Sequence, residues 1–388
     1  MSQQRKIFYQ FLGLHSLLIG IFPFFIPVFL WKQGFDLGRV CLFISLAGIG
    51  FCIGLWIWDR IRGVISLTSL IAISLVFEIL LLVNVQMLDM DFGVMLLLGI
   101  SYGVYNSFFW TTQRALFFEL IDISSSGRKY GNIQIFVGLL LQIGILIGGF
   151  LLERADFDYL LIVCGIIAGA GFILLCISKP RYPQPLVETR PVSITEIFKF
   201  RDGDSSRFIF IVDGLFLFLE SFFWVISLFL LSHESFTTLG LIVMSLAIIF
   251  GLLFYLLKNT IDRLGRRKIY TVSVLLYASS WALRAVTGQE MELIWLFVLL
   301  VMITFCTSFF RLAMNKRFYD VAKQTIQHPY LVLKSYYSQM TIATGFAVLG
   351  WLIIDLENSE KLFSGVYWGA SALALSFLAY GASRYRQA

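Results

Sequence analysis

This 388-residue chain carries little charge. Asp, Glu, Lys and Arg together make up 14% of it, against 59% hydrophobic residues and a mean hydropathy of +0.84. So few charges cannot cover the surface of a water-soluble domain of this length, and the composition places the chain in a lipid bilayer. Cysteine is scarce too. The five, Cys41, Cys52, Cys164, Cys176 and Cys306, all sit inside apolar runs, and none is spaced as a CxxC or metal motif. That spacing argues against a disulfide framework and against a metal site, and leaves them as small packing residues. The chain also has no GxxxxGK[ST] loop, no zincin motif and no triad spacing. ATP hydrolysis, a resident cofactor and an enzymatic role are therefore not expected.

What the sequence has in abundance is long apolar runs. Twelve are found, at about 8–30, 39–58, 64–85, 92–117, 130–152, 158–178, 208–231, 237–257, 269–287, 293–316, 334–354 and 363–383. Each approaches the roughly 20 residues a spanning helix needs. Barrel strands would be about half as long and alternate in polarity, so the expected fold is an all-α polytopic membrane protein. The first run follows Arg5-Lys6, is too long for a cleaved signal and lacks a small-residue cleavage site, so it reads as a retained helix.

Most of the 30 Lys and Arg residues fall on one side if both termini are cytoplasmic, whereas the opposite loops carry Asp89, Asp91, Glu234, Glu290 and Glu292. The positive-inside rule then sets the orientation, and the net charge of +6 reflects topology and an anionic inner leaflet rather than nucleic-acid binding. Residues 179–207 form the longest non-membrane stretch and hold four of the seven prolines. They divide the chain into a six-helix bundle at 1–178, a cytoplasmic linker and a second bundle at 208–388. Ile194-Thr-Glu-Ile-Phe-Lys-Phe within the linker has the pattern of a short amphipathic surface helix, or serves as plain connector.

The two halves echo one another. Ser107-Phe-Phe-Trp110 with Phe117-Phe-Glu119 matches Ser308-Phe-Phe-Arg311 with Phe318-Tyr-Asp320, about 200 residues later. At nearly the same offset, Asp59-Arg60-Ile-Arg62-Gly63 is a degraded copy of Asp262-Arg263-Leu-Gly265-Arg266-Arg267-Lys268, each between two apolar runs. A short Asp-Arg-x-Gly-Arg loop repeated once per half resembles the loop signature of the major facilitator superfamily of secondary transporters, and the resemblance covers the whole chain. It implies twelve helices in two six-helix pseudo-repeats working by alternating access. It also implies that the loops act as conformational latches for the outward-facing state, a role carried to Asp262, Arg263, Gly265 and Arg266. The first copy keeps Asp59 and Arg60 but shifts the glycine; positive-inside anchoring is the alternative for both copies. Helices two, five, eight and eleven should pack closely between the halves, with Gly48, Gly144, Gly148, Gly149, Gly240 and Gly350 among their small residues. The fifth-helix glycine run resembles a motif of family exporters, but residue 145 is Ile where the motif has proline.

Ionisable side chains at membrane depth face a cavity or a partner because isolated ones are costly there. They are His15, Glu78, Asp213, Glu220, Arg284 and Arg311. The resemblance places helices one, four, seven and ten around the central cavity, which selects His15, Glu220 and Arg311, with Asn106, Trp110, Gln113 and Arg114 from the fourth helix. Glu220 is the candidate for a coupling proton, or for a structural ion pair with Arg311 or Arg284. Arg311 could clamp an anionic group or balance Glu220. His15 is either a proton-relay member or a packed histidine, and the role of Glu78 is open. Phe108-Phe109-Trp110 and Phe222-Phe223-Trp224 could line a cavity for a planar or amphipathic solute or face neighbouring helices, while Pro23 and Pro27 should bend the first helix. The expectation is a monomeric, proton-coupled symporter or antiporter of a plasma or bacterial inner membrane, with a small molecule, protons and lipids as partners. A lipid or amphiphile flippase and a non-transporting assembly factor use the same fold.

Overall fold

The computed structural model describes residues 3–65, 67–86, 92–120, 126–155, 157–178, 190–261, 266–322, 327–353 and 360–380. They build twelve long helical segments. α1 runs through Gln3–Ile21, a 3-10 turn Pro23–Phe25 and Ile26–Lys32, so Pro23 and Pro27 break it where the sequence anticipates. α2 is Leu37–Ile61, α3 Leu67–Gln86, α4 Phe92–Leu120, α5 Ser126–Arg154 and α6 Phe157–Ser178. α7 comprises Ser206–Phe218, a π turn Leu219–Phe223 and Trp224–Leu231. α8 is Phe236–Ile261, α9 Arg266–Ala285, α10 Leu293–Ala322 and α11 Gln327–Ile353, and α12 runs Glu360–Ala374 with a 3-10 end Leu375–Ala379. Eight of these segments are long and apolar enough to cross a membrane, and α3 and α8 contribute the shorter apolar stretches Ser69–Val85 and Phe236–Ile249. No strand occurs among the described residues.

Side-chain size decides which helices approach. α2 packs on α4 and α11, α5 on α1 and α8, α7 on α11, and α9 on α10 and α12. The α2–α11 and α5–α8 contacts join the first six helices to the last six, as the repeat pattern implies. At the first of them, a Cβ on Gly48 would fall 2.7 Å from the backbone nitrogen of Ala343. Only a residue without a side chain allows that approach. The fifth-helix glycines serve a different neighbour: Gly144 and Gly148 face the backbone of Leu17 and Ile21 on α1, within the first six helices, and Gly149 alone faces Phe236.

The two groups of helices touch at both ends. At the end near the linker, Arg114 of α4 donates to Ser335 of α11 at 3.4 Å. At the distal end, Glu153 of α5 accepts hydrogen bonds from Ser235 Oγ and the Thr237 amide, Phe25 packs on Phe236 and Trp31 on Phe363. The surface helix Ile194–Lys199 starts with a capping box. Glu196 N bonds Ser193 Oγ, and Glu196 Oε2 accepts from Ser193 N at 2.8 Å. Its Ile197 is buried and its carbonyl accepts from the Tyr337 hydroxyl of α11, whereas Ile194 and Phe198 stay exposed.

Candidate functional site

A buried charge network lies in the last six helices. Arg311 on α10 reaches Glu220 through Nε, 3.2 Å from Oε1 and 3.0 Å from Oε2, and Asp213 through Nη1 at 2.5 Å. Asp213 and Glu220 are seven residues apart, so α7 presents both on one face about two turns apart, within the span of one guanidinium. The second oxygen of Asp213 meets Lys334 Nζ of α11 at 3.2 Å. Tyr277 of α9 donates to Glu220 Oε1 at 2.5 Å and stacks on Phe310, with ring centroids 4.0 Å apart. Two carboxylates and two cations thus neutralise one another inside the bundle, which is what makes their burial tolerable.

Exposure separates the members. Asp213 is 2% exposed, whereas the Arg311 and Glu220 side chains are 22% and 20% exposed. One end of the network is therefore packed and the other borders open space. Arg311 Nη2 has no hydrogen-bond partner. Glu220 stands on the π turn Leu219–Phe223, a wider i→i+5 turn within α7. One turn beyond, Arg284 is buried between the Trp281 and Trp224 rings, with its guanidinium carbon 4.3 and 4.9 Å from their centroids, and donates to Ser280 and Thr307.

The fourth-helix candidates behave differently. Asn106 donates to the Tyr102 carbonyl and accepts from Trp110 Nε1 at 3.0 Å, a chain running along α4. Gln113 is half-buried on the same helix. Arg114 reaches Ser335, next to Lys334 in the chain, and so brings a third cation from the other half of the molecule to the network. His15 does not join this group; it is fully buried, stacked on Phe109, and associates with Glu78 and Tyr105.

A second polar cluster closes the linker end. Asp59 is buried and accepts from Arg62 Nε at 2.7 Å and from the Val192 amide at 2.7 Å, with His328 Nε2 of α11 at 3.4 Å. One carboxylate thus ties α2, the linker and α11 together. The partner is Arg62, not Arg60: Arg60 lies over the Trp56 ring at 3.9 Å and donates to the Trp56 carbonyl. Asp262, Arg263 and Gly265 of the second loop lie outside the described residues; Arg266 opens α9, and its side chain also lies outside them.

Lys334 is the member sequence reasoning missed. The apolar run begins at Lys334, which makes it look like a headgroup anchor, but α11 starts at Gln327 and carries Pro329 in its first turn, where proline is compatible with a helix. Lys334 therefore sits two turns deep. The signal was available in the seven preceding residues, four of them apolar or aromatic.

Among the described residues no group of three or more His, Cys, Asp or Glu side chains could hold a metal ion. A groove of about 350 Å³ between α1, α5 and α6, lined by Leu14, Leu17, Phe136, Leu140 and Leu174 with Gln10 as its polar member, shares no residue with either charged cluster.

No family model matches the sequence, and no curated protein sequence matches it. Solved structures do. A point mutant of the nucleoside transporter NupG superposes with a TM-score of 0.74 at 14% identity, over 97% of this chain and 99% of that one. NupG itself gives 0.64 at 16% identity, over 98% and 99%. A D-xylose-proton symporter gives 0.68 at 12% identity, over 97% and 98%. These are transporters, not enzymes, and the fold of this chain is the twelve-helix major facilitator fold that the paired loops suggest.

Proposed function

We propose that this chain is a secondary active transporter that moves a small organic anion across a cytoplasmic membrane by alternating access, coupled to protons. The observation that carries the substrate class is the charge balance around Arg311. Asp213 and Glu220 face Arg311 and Lys334, and Arg114 adds a third cation from the opposite half. A solute bringing a negative group offsets this excess of cations. Arg311 Nη2, buried and unpartnered, is the donor aimed at that group, and a guanidinium takes a carboxylate or phosphate in a planar, two-bond grip.

Glu220 carries the coupling proton in this reading. It competes with the solute for Arg311. Protonation releases Arg311 to the anion, and departure of the anion returns Arg311 to the carboxylate. Trp110, Asn106 and Gln113 line the opposite wall. The Asp59, Arg62, Val192 and His328 cluster is the latch that holds the linker end shut, and Asp262, Arg263, Gly265 and Arg266 are its counterpart in the second half. Both termini face the cytoplasm, the chain acts as a monomer, and lipid and protons are its other partners. A flippase is less well supported, because the apolar groove on α1, α5 and α6 does not include Arg311.

The test is proton flux in proteoliposomes loaded with a pH dye. Outward or inward gradients of organic mono- and dicarboxylates, phosphate esters, nucleosides and sugars are imposed in turn. One anionic class should drive a pH change in wild type that Glu220→Gln abolishes; flux driven by sugars or nucleosides alone would contradict the anion assignment, and silence throughout would favour an assembly role.

A further inference from the structure

A second set of titratable side chains lies in the first six helices, and nothing in the proposed cycle uses it. His15 on α1, Glu78 on α3 and Tyr105 on α4 are 0%, 0% and 1% exposed. The Tyr105 hydroxyl lies 3.0 Å from His15 Nε2 and 3.2 Å from Glu78 Oε1, and His15 Nδ1 lies 3.1 Å from Glu78 Oε2. The three close a ring. Its third edge is a charge contact without hydrogen-bond alignment, so Nδ1 and Oε2 each keep unused bonding capacity. Phe109 covers one face of the imidazole, with ring centroids 3.4 Å apart, and Phe11 stacks beside it.

The electrostatic neighbours of this ring are weak acids, Tyr102 from α4 and Cys164 from α6. Among the described residues no Lys or Arg forms an ion pair with Glu78. With one proton shared between Glu78 and His15 the ring would be neutral, and without it the ring would carry a net charge of −1. In a dry bundle the charged form is the costly one.

We propose that His15, Glu78 and Tyr105 form a proton-binding site of the N-terminal half, distinct from Glu220. It holds one proton while buried and exchanges it when movement of α1 against α4 admits water. The proton is taken from hydronium on one side and returned to water on the other, and no covalent bond to carbon changes. Tyr105 keeps its own proton and orients the other two groups. The site lies near a contact between the two sets of helices. Tyr102, one turn from Tyr105 on α4, packs on Phe222 of the π turn that carries Glu220, with centroids 6.1 Å apart.

The chain has three histidines, so the full-length protein labelled with nitrogen-15 histidine and reconstituted in lipid nanodiscs gives three ring signals, of which His15→Gln identifies the relevant one. The His15 signal should respond to pH as a one-proton event, and Glu78→Gln should displace its midpoint. Tyr105→Phe, which keeps both titrating groups, should shift it by a smaller amount and serves as the test if Glu78→Gln fails to fold. A His15 ring that keeps one protonation state across the stable range, or a midpoint moved by neither substitution, overturns the proposal and makes the ring a packing element. Glu220→Gln should leave this titration unchanged while abolishing proton flux, so the two proposals fail independently.

Discussion

Arg311 is placed so that its removal takes a partner from two acids at once and strands one of them. Asp213 would keep Lys334, but Glu220 would keep only the Tyr277 hydroxyl. Breaking a buried ion pair on one side typically costs about 3–5 kcal/mol, so Arg311→Ala should lower the thermal midpoint substantially. The double substitution Arg311→Ala, Glu220→Gln should recover part of that loss, because the stranded charge is gone. A double mutant no more stable than the single one would mean that the pair contributes little. Glu220 and Arg311 were legible from the sequence because a charged residue amid apolar ones is conspicuous. Lys334 was not, since a proline and a histidine before it disguise the start of α11. Nor does the sequence distinguish Arg60 from Arg62 as the partner of Asp59. They are two residues apart, point to different sides of α2's end, and only packing selects one.

At the scale of elements, run length places each of the twelve long helical segments among the described residues, because a bilayer sets that length. The ends are less legible. α4, α5 and α10 extend beyond their apolar runs by up to six residues, since a helix continues through polar residues once its backbone is satisfied. The π turn at Leu219–Phe223 has no sequence mark. Gly48 makes the α2–α11 crossing testable: Gly48→Val forces a side chain against the Ala343 backbone, and overpacking of this kind costs about 1–3 kcal/mol. The loss should appear in thermal denaturation, and Gly138→Val, where a Cβ would meet nothing within 4 Å, should be nearly silent. The surface helix carries a pH prediction. Hydrogen bonds from Ser193, with Arg190 beside it, hold the Glu196 carboxyl below the usual carboxylate range. A depressed folded value means that the capping contribution is complete above the ordinary carboxylate range and is lost as pH falls through the lower one. Amide hydrogen exchange at 193–199 should therefore be pH-insensitive in its opening equilibrium near neutrality and show increased opening only in strong acid; equal opening across that range would remove the capping box from the account.

On the scale of the whole molecule, the two sets of helices meet through dissimilar devices. The distal end is closed by aromatic pairs and by Glu153, and the linker end by one carboxylate shared among α2, the linker and α11. Such unequal closures suit a protein that opens one end at a time. Asp59→Asn should loosen the linker end, and a cysteine placed at Ser335 should then react faster with a membrane-impermeant thiol reagent added from that side; unchanged reactivity would remove Asp59 from the latch. The repeat of Asp-Arg loops made the two halves legible, but contacts such as that of Val192 in the linker with Asp59 of α2 join residues 133 positions apart and follow no local pattern.

The measurement that reaches the central claim most directly is a ligand-panel thermal shift on the purified wild type and Arg311→Ala, with organic anions, amphipathic cations, sugars and lipids. A ligand at about 100 times its dissociation constant stabilises the folded protein by roughly 2.7 kcal/mol, enough to read as a clear rise in midpoint. The account predicts such a rise for one class of organic anion in wild type and its loss in Arg311→Ala. A rise of equal size in both proteins would contradict it, because Arg311 would then not be the group that holds the solute.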